Sequence, residues 1–219
     1  ESKARDGKVL HRYLDAIYEE ALKKSKDDIW SQIAYLEIEG KQISAAEFRG
    51  IAGVMLAGGR DTVVKLFTGI VWHFGKKPQD LQLLRTNPEL MGAAIQEFLR
   101  FLTPLPVMNR TLVPESSTAE LPDDRYVGIS FISGNFDETV YTNPFEIDFN
   151  RGRNPHLSFG FGPHTCLGNH IAEIEAKVFL EALLNSGKSW KLSSEDIRYH
   201  QAPYPKIPDH FGSIKIEQI

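Results

Sequence analysis

One cysteine in 219 residues leaves nothing for it to pair with, so the chain has no internal disulfide framework. A reducing, cytoplasmic setting is the corresponding expectation, and the lone thiol of Cys166 is left for chemistry or metal ligation. Long apolar runs are missing too. Nothing approaches the roughly 18 residues of a membrane span, and the opening ESKARDGKVL lacks the apolar core of a signal peptide. A net charge of -4 provides no basic footprint for nucleic acid. Repeats, low-complexity tracts and a clear interdomain linker are absent, which predicts a single unit over 1–219. With 42% hydrophobic and 25% charged residues, the composition is that of an ordinary globular protein rather than a disordered chain.

What is there is helix-rich first and strand-bearing later. Val9, Leu10, Tyr13, Leu14, Ile17, Tyr18 and Leu22 recur at helical spacing across 7–25, with Lys23, Lys24 and Lys26 at the end where the dipole favours cations. DDIWSQIAYLEI fits a second helix. Ser44 and Glu47 form a capping box that opens an apolar pattern running to about Gly75, which predicts the longest helix of the chain. Pro78 suits the first turn of a short helix through Thr86, and Pro88 that of another through about Leu102. Beyond TPLP, Val107 to Pro114 and Tyr126 to Ile132 read as strands, and an irregular stretch follows through Pro163. A helix from about Leu167 to Asn185 and short strands near 189–192 and 212–217 complete the chain. The fold class is mainly α with small β-sheets: helices over 1–102, strands and irregular chain over 103–165, a helix and terminal strands over 166–219.

Four places carry chemistry. FGFGPHTCLG sets the only cysteine in a glycine-punctuated loop just ahead of a helix, whose free N–H groups and dipole supply the positive potential a thiolate needs. Gly160, Gly162 and Gly168 let the backbone turn sharply and a flat ligand approach closely. In AGGRDTVV, two adjacent glycines within a helical pattern cost about 1 kcal/mol each relative to alanine, so something other than helix stability selects them. Thr62 can bond back to the carbonyl of Gly58 and open the helix, with Asp61 as an acid beside it. Glu97 and Arg100 stand three apart on one helix face; by themselves they read as a surface pair worth about 0.3–0.5 kcal/mol. Arg110 and His164, taken singly, read as surface groups.

Phe159, Gly160, Gly162, His164, Cys166 and Gly168 meet every fixed position of F-G-x-G-x-H-x-C-x-G, and the loop resembles the haem-binding loop of cytochromes P450. The resemblance spans nearly the whole chain in the family's order. It implies the C-terminal haem-binding half of the P450 fold, haem b (iron protoporphyrin IX) as cofactor, and Cys166 as the axial ligand of the iron, whose electron donation favours O–O cleavage. It assigns AGGRDTVV to the distal helix, where Asp61 and Thr62 handle protons. Arg151 joins Glu97 and Arg100 in a buried cluster that locks the meander onto its helix, and Arg110 and His164 hold haem propionates. SGNFDETVY resembles the family's Asn-Arg-Asp stretch, with Phe136 where arginine is usual. Met55, Ala57, Thr103 to Met108 and His210 to Gly212 fall where the substrate pocket is lined.

The activity so implied is that of a soluble bacterial haem-thiolate monooxygenase. It inserts one oxygen atom from O2 into a small organic substrate, by hydroxylation or, beside a heteroatom, by oxidative dealkylation. Electrons come from a ferredoxin or flavodoxin-type donor with its reductase; neither nucleic acid nor a membrane is an expected partner. Glu173 stands where soluble bacterial members often carry arginine, so the donor's charge preference does not carry over. Cytochromes P450 are much longer than this chain, which is therefore expected to be a C-terminal portion with a complementary N-terminal half. Peroxygenases replace the acid–alcohol pair, which is intact here. A cysteine hydrolase would use Cys166 with His164 or His170 as base, but no third group or oxyanion motif accompanies them. A non-catalytic helical fragment or interaction remnant is the remaining alternative for the chain by itself.

Overall fold

The computed structural model describes residues 7–112, 126–201, 203, 204 and 206–219. The chain divides between Arg60 and Asp61 into two compact units, Glu1–Arg60 and Asp61–Ile219. The break falls inside the stretch expected to be one long helix. Instead α3 (Ala45–Gly58) ends at the glycine pair, with the Gly59 N–H closing the last turn onto the Met55 carbonyl at 3.0 Å, and α4 (Asp61–Lys76) starts anew. Two helix-weakening glycines in succession, followed by an acid that favours a first turn, account for the interruption.

In the first unit α1 (Lys8–Lys23), α2 (Ile29–Ala34) and α3 enclose Leu14, Ile33, Phe48 and Ala52. The helix expected over 27–38 stops at Ala34. Glu37–Ile38 (β1) turns back antiparallel on Lys41–Gln42 (β2) through Glu39 and Gly40 at φ 52 and 74, the positive pair that a tight hairpin requires. The capping box forms: Ser44 Oγ accepts from the Glu47 N–H at 3.3 Å, and Glu47 Oε2 accepts from the Ser44 N–H at 2.7 Å.

The second unit is built on α4, α6 (Met91–Leu102) and α8 (Asn169–Asn185), with α5 (Pro78–Thr86) and a 3-10 turn at Pro88–Leu90 leading into α6. Both prolines sit where their missing N–H is not needed. Leu66, Ile70, Phe74, Phe98, Leu102, Ala176 and Leu180 meet in the core, and the Phe67 and Phe179 rings stack at 4.3 Å between α4 and α8. Gly69 lies so close to Leu102 that a Cβ there would overlap its side chain, which is how α4 and α6 approach each other. Strand β3 (Val107–Thr111) pairs antiparallel with β4 (Tyr126–Ser130). The second expected strand is shorter than its pattern, because Phe131–Asn135 forms a short helix, α7, capped by the Ser130 hydroxyl. Pro114 lies outside the described residues. The terminal strands are longer than expected: β5 (Trp190–Tyr199) and β6 (Pro208–Gln218) form one antiparallel ribbon. Trp190 Nε1 donates to the Val71 carbonyl and Trp72 Nε1 to Glu195, each at 3.0 Å, pinning that ribbon to α4.

Candidate functional site

Glu97, Arg100 and Arg151 come together. Glu97 and Arg100 are 0% exposed, so the pair is not a surface pair. The Glu97 carboxylate accepts from Arg100 Nη2 at 2.7 Å and Nε at 2.8 Å, from Arg151 Nε at 3.0 Å, from the Asp148 N–H at 3.0 Å and from Asn154 Nδ2 at 2.9 Å. Each guanidinium spends its other donors on main-chain carbonyls of the irregular stretch. Arg100 reaches Asn135, Pro144 and Glu146, and Arg151 reaches Thr142, Asn143 and Glu146. The loop from 135 to 154 is thus clamped to α6 by two arginines that share one carboxylate, the arrangement in which a buried charge is tolerated.

Sequence reasoning missed Asn135, Tyr141 and Asn154 as members of this cluster. Tyr141 lies beside both guanidinium groups, at 5.1 Å from Arg100 and 5.8 Å from Arg151. Phe136, which replaces the usual arginine, packs its ring 5.3 Å from Arg100. Asn135 is fully buried; its Nδ2 donates to Thr103 Oγ1 and Ser158 Oγ, each at 2.9 Å, and its Oδ1 accepts from the Leu157 N–H at 2.6 Å. Through Asn135 the end of α6 is tied to the segment leading into the cysteine loop. Only the NFD triplet hinted at it.

Below the loop runs a second tie. His156 Nε2 meets Gln96 Oε1 at 2.8 Å, and Gln96 Nε2 donates to Glu173 of α8 at 3.0 Å. Burial holds the His156 imidazole below the ordinary histidine range, against the upward pull of Glu173.

The cysteine loop rests on this base. Phe159 packs against the core, and its carbonyl accepts the Cys166 N–H at 2.8 Å, closing the loop. Gly160 at φ 71 and Gly162 at φ 80 make the left-handed turns that close it. Gly168 does not share that role: it caps α8 at φ -89, and its nearest neighbour to an added Cβ is Cys166 Sγ at 4.0 Å. Helix α8 begins at Asn169 rather than about Leu167, so Cys166 stands just ahead of the cap. The thiol is exposed, and so are Phe161 (89%) and Leu167 (95%) beside it. His164 ends an exposed 3-10 turn at Gly162–His164.

Asp61 and Thr62 occupy the first two positions of α4 rather than the middle of a long helix. Asp61 thereby gains the favourable end of the dipole. Arg110 is half-buried on β3, with Nη1 donating to the carbonyl of its neighbour Asn109 at 2.9 Å. Among the described residues neither His164 nor His170 is hydrogen-bonded to the Cys166 thiol.

A glycine loop bearing an exposed thiol leads into α8, and the chain ahead of it is fastened to α6 by the Glu97, Arg100 and Arg151 cluster. The family model described as Cytochrome P450 matches residues 65–196, and the chain belongs to that family. It is 32% identical over 170 residues to Cytochrome P450-terp of Pseudomonas sp, covering 77% of this chain and 40% of that protein. It is 31% identical over 189 residues to the steroid C26-monooxygenase of Mycolicibacterium smegmatis, covering 85% and 46% respectively. Among solved structures, a carbohydrate active P450 superposes with a TM-score of 0.83 at 30% identity, over 96% of this chain and 57% of that one. The chain thus spans about half the length of the curated relatives it matches.

Proposed function

We propose that this chain is the C-terminal, haem-binding portion of a haem-thiolate monooxygenase that takes haem b. The observation carrying the reading is the exposed Cys166 in a loop closed by two left-handed glycines and flanked by the exposed apolar side chains of Phe161 and Leu167. A flat apolar macrocycle fits such a loop, because the backbone offers no Cβ at Gly160 or Gly162 and the two side chains lose water against it. Cys166 would hold the iron, and Arg110 and His164 the propionates. The bound group supplies dioxygen activation and one-electron chemistry. Asp61 and Thr62 move protons: the Thr62 hydroxyl holds a hydrogen bond at the distal side, and the Asp61 carboxylate passes protons in from solvent. The Glu97 cluster keeps the loop in place and does no chemistry.

The partners follow from the same reading. Ile171, Ile174 and Val178 lie along one face of α8, each about 60% exposed (62%, 62% and 59%), and a complementary N-terminal half would cover them. A ferredoxin or flavodoxin-type donor with its reductase would supply two electrons, and a small organic substrate would receive one oxygen atom. Because the relatives named above differ in what they act on, kinship does not choose the substrate. No helix among the described residues is long and apolar enough to cross a membrane, and a cytoplasmic protein is part of the proposal.

The test is spectroscopic. The intact protein, reduced and bound to carbon monoxide, should show the red-shifted Soret band of a thiolate ligand, and Cys166→His should abolish that shift. An unchanged band in the variant would remove Cys166 as ligand.

A further inference from the structure

Residues three apart on a helix share a face, so Lys65 follows Thr62 along α4, roughly 4.5 Å further down the axis. Lys65 is half-buried, and its Nζ donates to the main-chain carbonyl of Thr103 at 3.4 Å. A carbonyl carries no countercharge. Among the described residues no carboxylate lies within ion-pairing distance of Nζ, and burial pushes its pKa down to about 8. The charges it feels are Asp209, which favours the ammonium, and Arg198, which opposes it.

Asp209 is already engaged. Arg198 Nε donates to its Oδ2 at 2.7 Å, and His200 Nε2 lies 3.6 Å from its Oδ1. At that distance His200 makes no hydrogen bond to Asp209, and its Nε2 is buried without a hydrogen-bond partner. His200 also feels the charge of Lys65. Two basic side chains, Arg198 and His200, therefore lie against the Asp209 carboxylate, while the Lys65 ammonium feels its charge without pairing with it and the His200 imidazole nitrogen is left without a hydrogen-bond partner. The surroundings are those of the expected pocket wall, since Thr103 begins the segment to Met108 and Asp209 immediately precedes His210. An unpaired cation in partly dry surroundings is where an anion is held more tightly than in water.

We propose that Lys65 is a substrate-recognition residue that takes an anionic group, a carboxylate, on the molecule to be oxidised. The inference rests on the monooxygenase reading of the site and names its substrate class. A carboxylate held at Lys65 puts the rest of the molecule beside Thr62, on the helix face where protons are handled.

Calorimetric titration of the intact haem-loaded protein tests this with three carboxylates and their neutral carboxamides: dodecanoate, cinnamate and glucuronate against dodecanamide, cinnamamide and glucuronamide. In at least one pair the carboxylate should bind about 10-fold tighter, the size expected of a hydrogen bond to a charged group. Lys65→Gln should abolish that preference and Lys65→Arg should keep it. No preference in any pair, or a preference that survives Lys65→Gln, overturns the proposal. If Lys65→Gln and Lys65→Met both lose haem while Lys65→Arg retains it, an acid of the protein itself neutralises the lysine and the proposal also fails. The carbon monoxide spectrum of the same samples separates this failure from that of the monooxygenase reading: without a thiolate band the broader reading falls, whereas a thiolate band without carboxylate preference removes only the role of Lys65.

Discussion

The Glu97 cluster and the Cys166 loop are adjacent but built in opposite ways. Every oxygen of Glu97 is bonded, each arginine is shared among main-chain carbonyls, and Glu97 and Arg100 are sealed from water. The cysteine loop has its main chain fixed from below, yet it presents a thiol and large apolar side chains to solvent. A buried charge network must be completed within the fold, because a missing partner strands a charge. A ligand-binding face has to be left incomplete until the ligand and its covering surface arrive. In the proposed function the first region therefore answers for folding, and the second for binding.

The sharpest way to break this contrast is Glu97→Ala. Removing the carboxylate leaves two guanidinium groups without their anion in a buried site, at a cost of about 3–5 kcal/mol. The expected outcome is insoluble or haem-free protein; soluble, fully loaded variant at normal yield would show the cluster to be dispensable. Gly160→Ala comes next. An added Cβ meets only ordinary contacts, His164 O and Phe131 Cζ at 3.7 Å, so the cost lies in the left-handed backbone, about 1–2 kcal/mol. Chemical denaturation should register that loss, and no change in midpoint would mean the loop shifts freely.

Acid should act on two half-buried imidazoles, that of His156 in the tie below the loop and that of His200 beside Asp209. His156 and His200 are both held below the ordinary value of 6.5, chiefly by burial, so the fold favours their neutral forms. Their contribution is complete above pH 6.5 and is lost as pH falls from there toward the lowered folded values. Melting temperature measured across that window should fall with pH, and His156→Gln should flatten the slope. The smallest effect on folding belongs to Leu167→Ser. On an exposed side chain the change in this chain's stability should stay within about 0.5 kcal/mol, while haem retention in the intact protein should drop. Destabilisation of the chain alone would place Leu167 in its core rather than on its binding face.

Legibility from sequence followed the range of the interactions. The capping box of Ser44 and Glu47 and the proline starts of α5 and of the turn before α6 depend on residues within one turn, and they formed where the pattern put them. The glycine pair at 58 and 59 was visible as a weak point, but its consequence was not. Whether a helix opens around a ligand there or stops depends on packing outside the turn, and here it stops. The strands at the C-terminus were underestimated because their outer halves are polar and exposed, so only the pairing of β5 with β6 makes them strands. Tyr141 and Asn154 carry no local signal at all and Asn135 only that of its triplet, because the bonds that join Asn135 to Leu157 and Asn154 to Glu97 span 22 and 57 residues of chain.

The sequence by itself determined the make-up of the loop: one thiol, with glycines where the left-handed turns fall, both local in the chain and so independent of how it packs. The tertiary structure decided which charges are buried. Glu97 and Arg100 look the same on paper as any pair of opposite charges one turn apart, and Lys65 looks like any helix lysine. The first two became a sealed network because the chain from 135 to 154 folds over them. Lys65 became a half-buried cation without a carboxylate partner among the described residues because the end of α6 and the β5–β6 ribbon close around α4. Burial sets the energy of a charge, and burial is a property of the assembled fold.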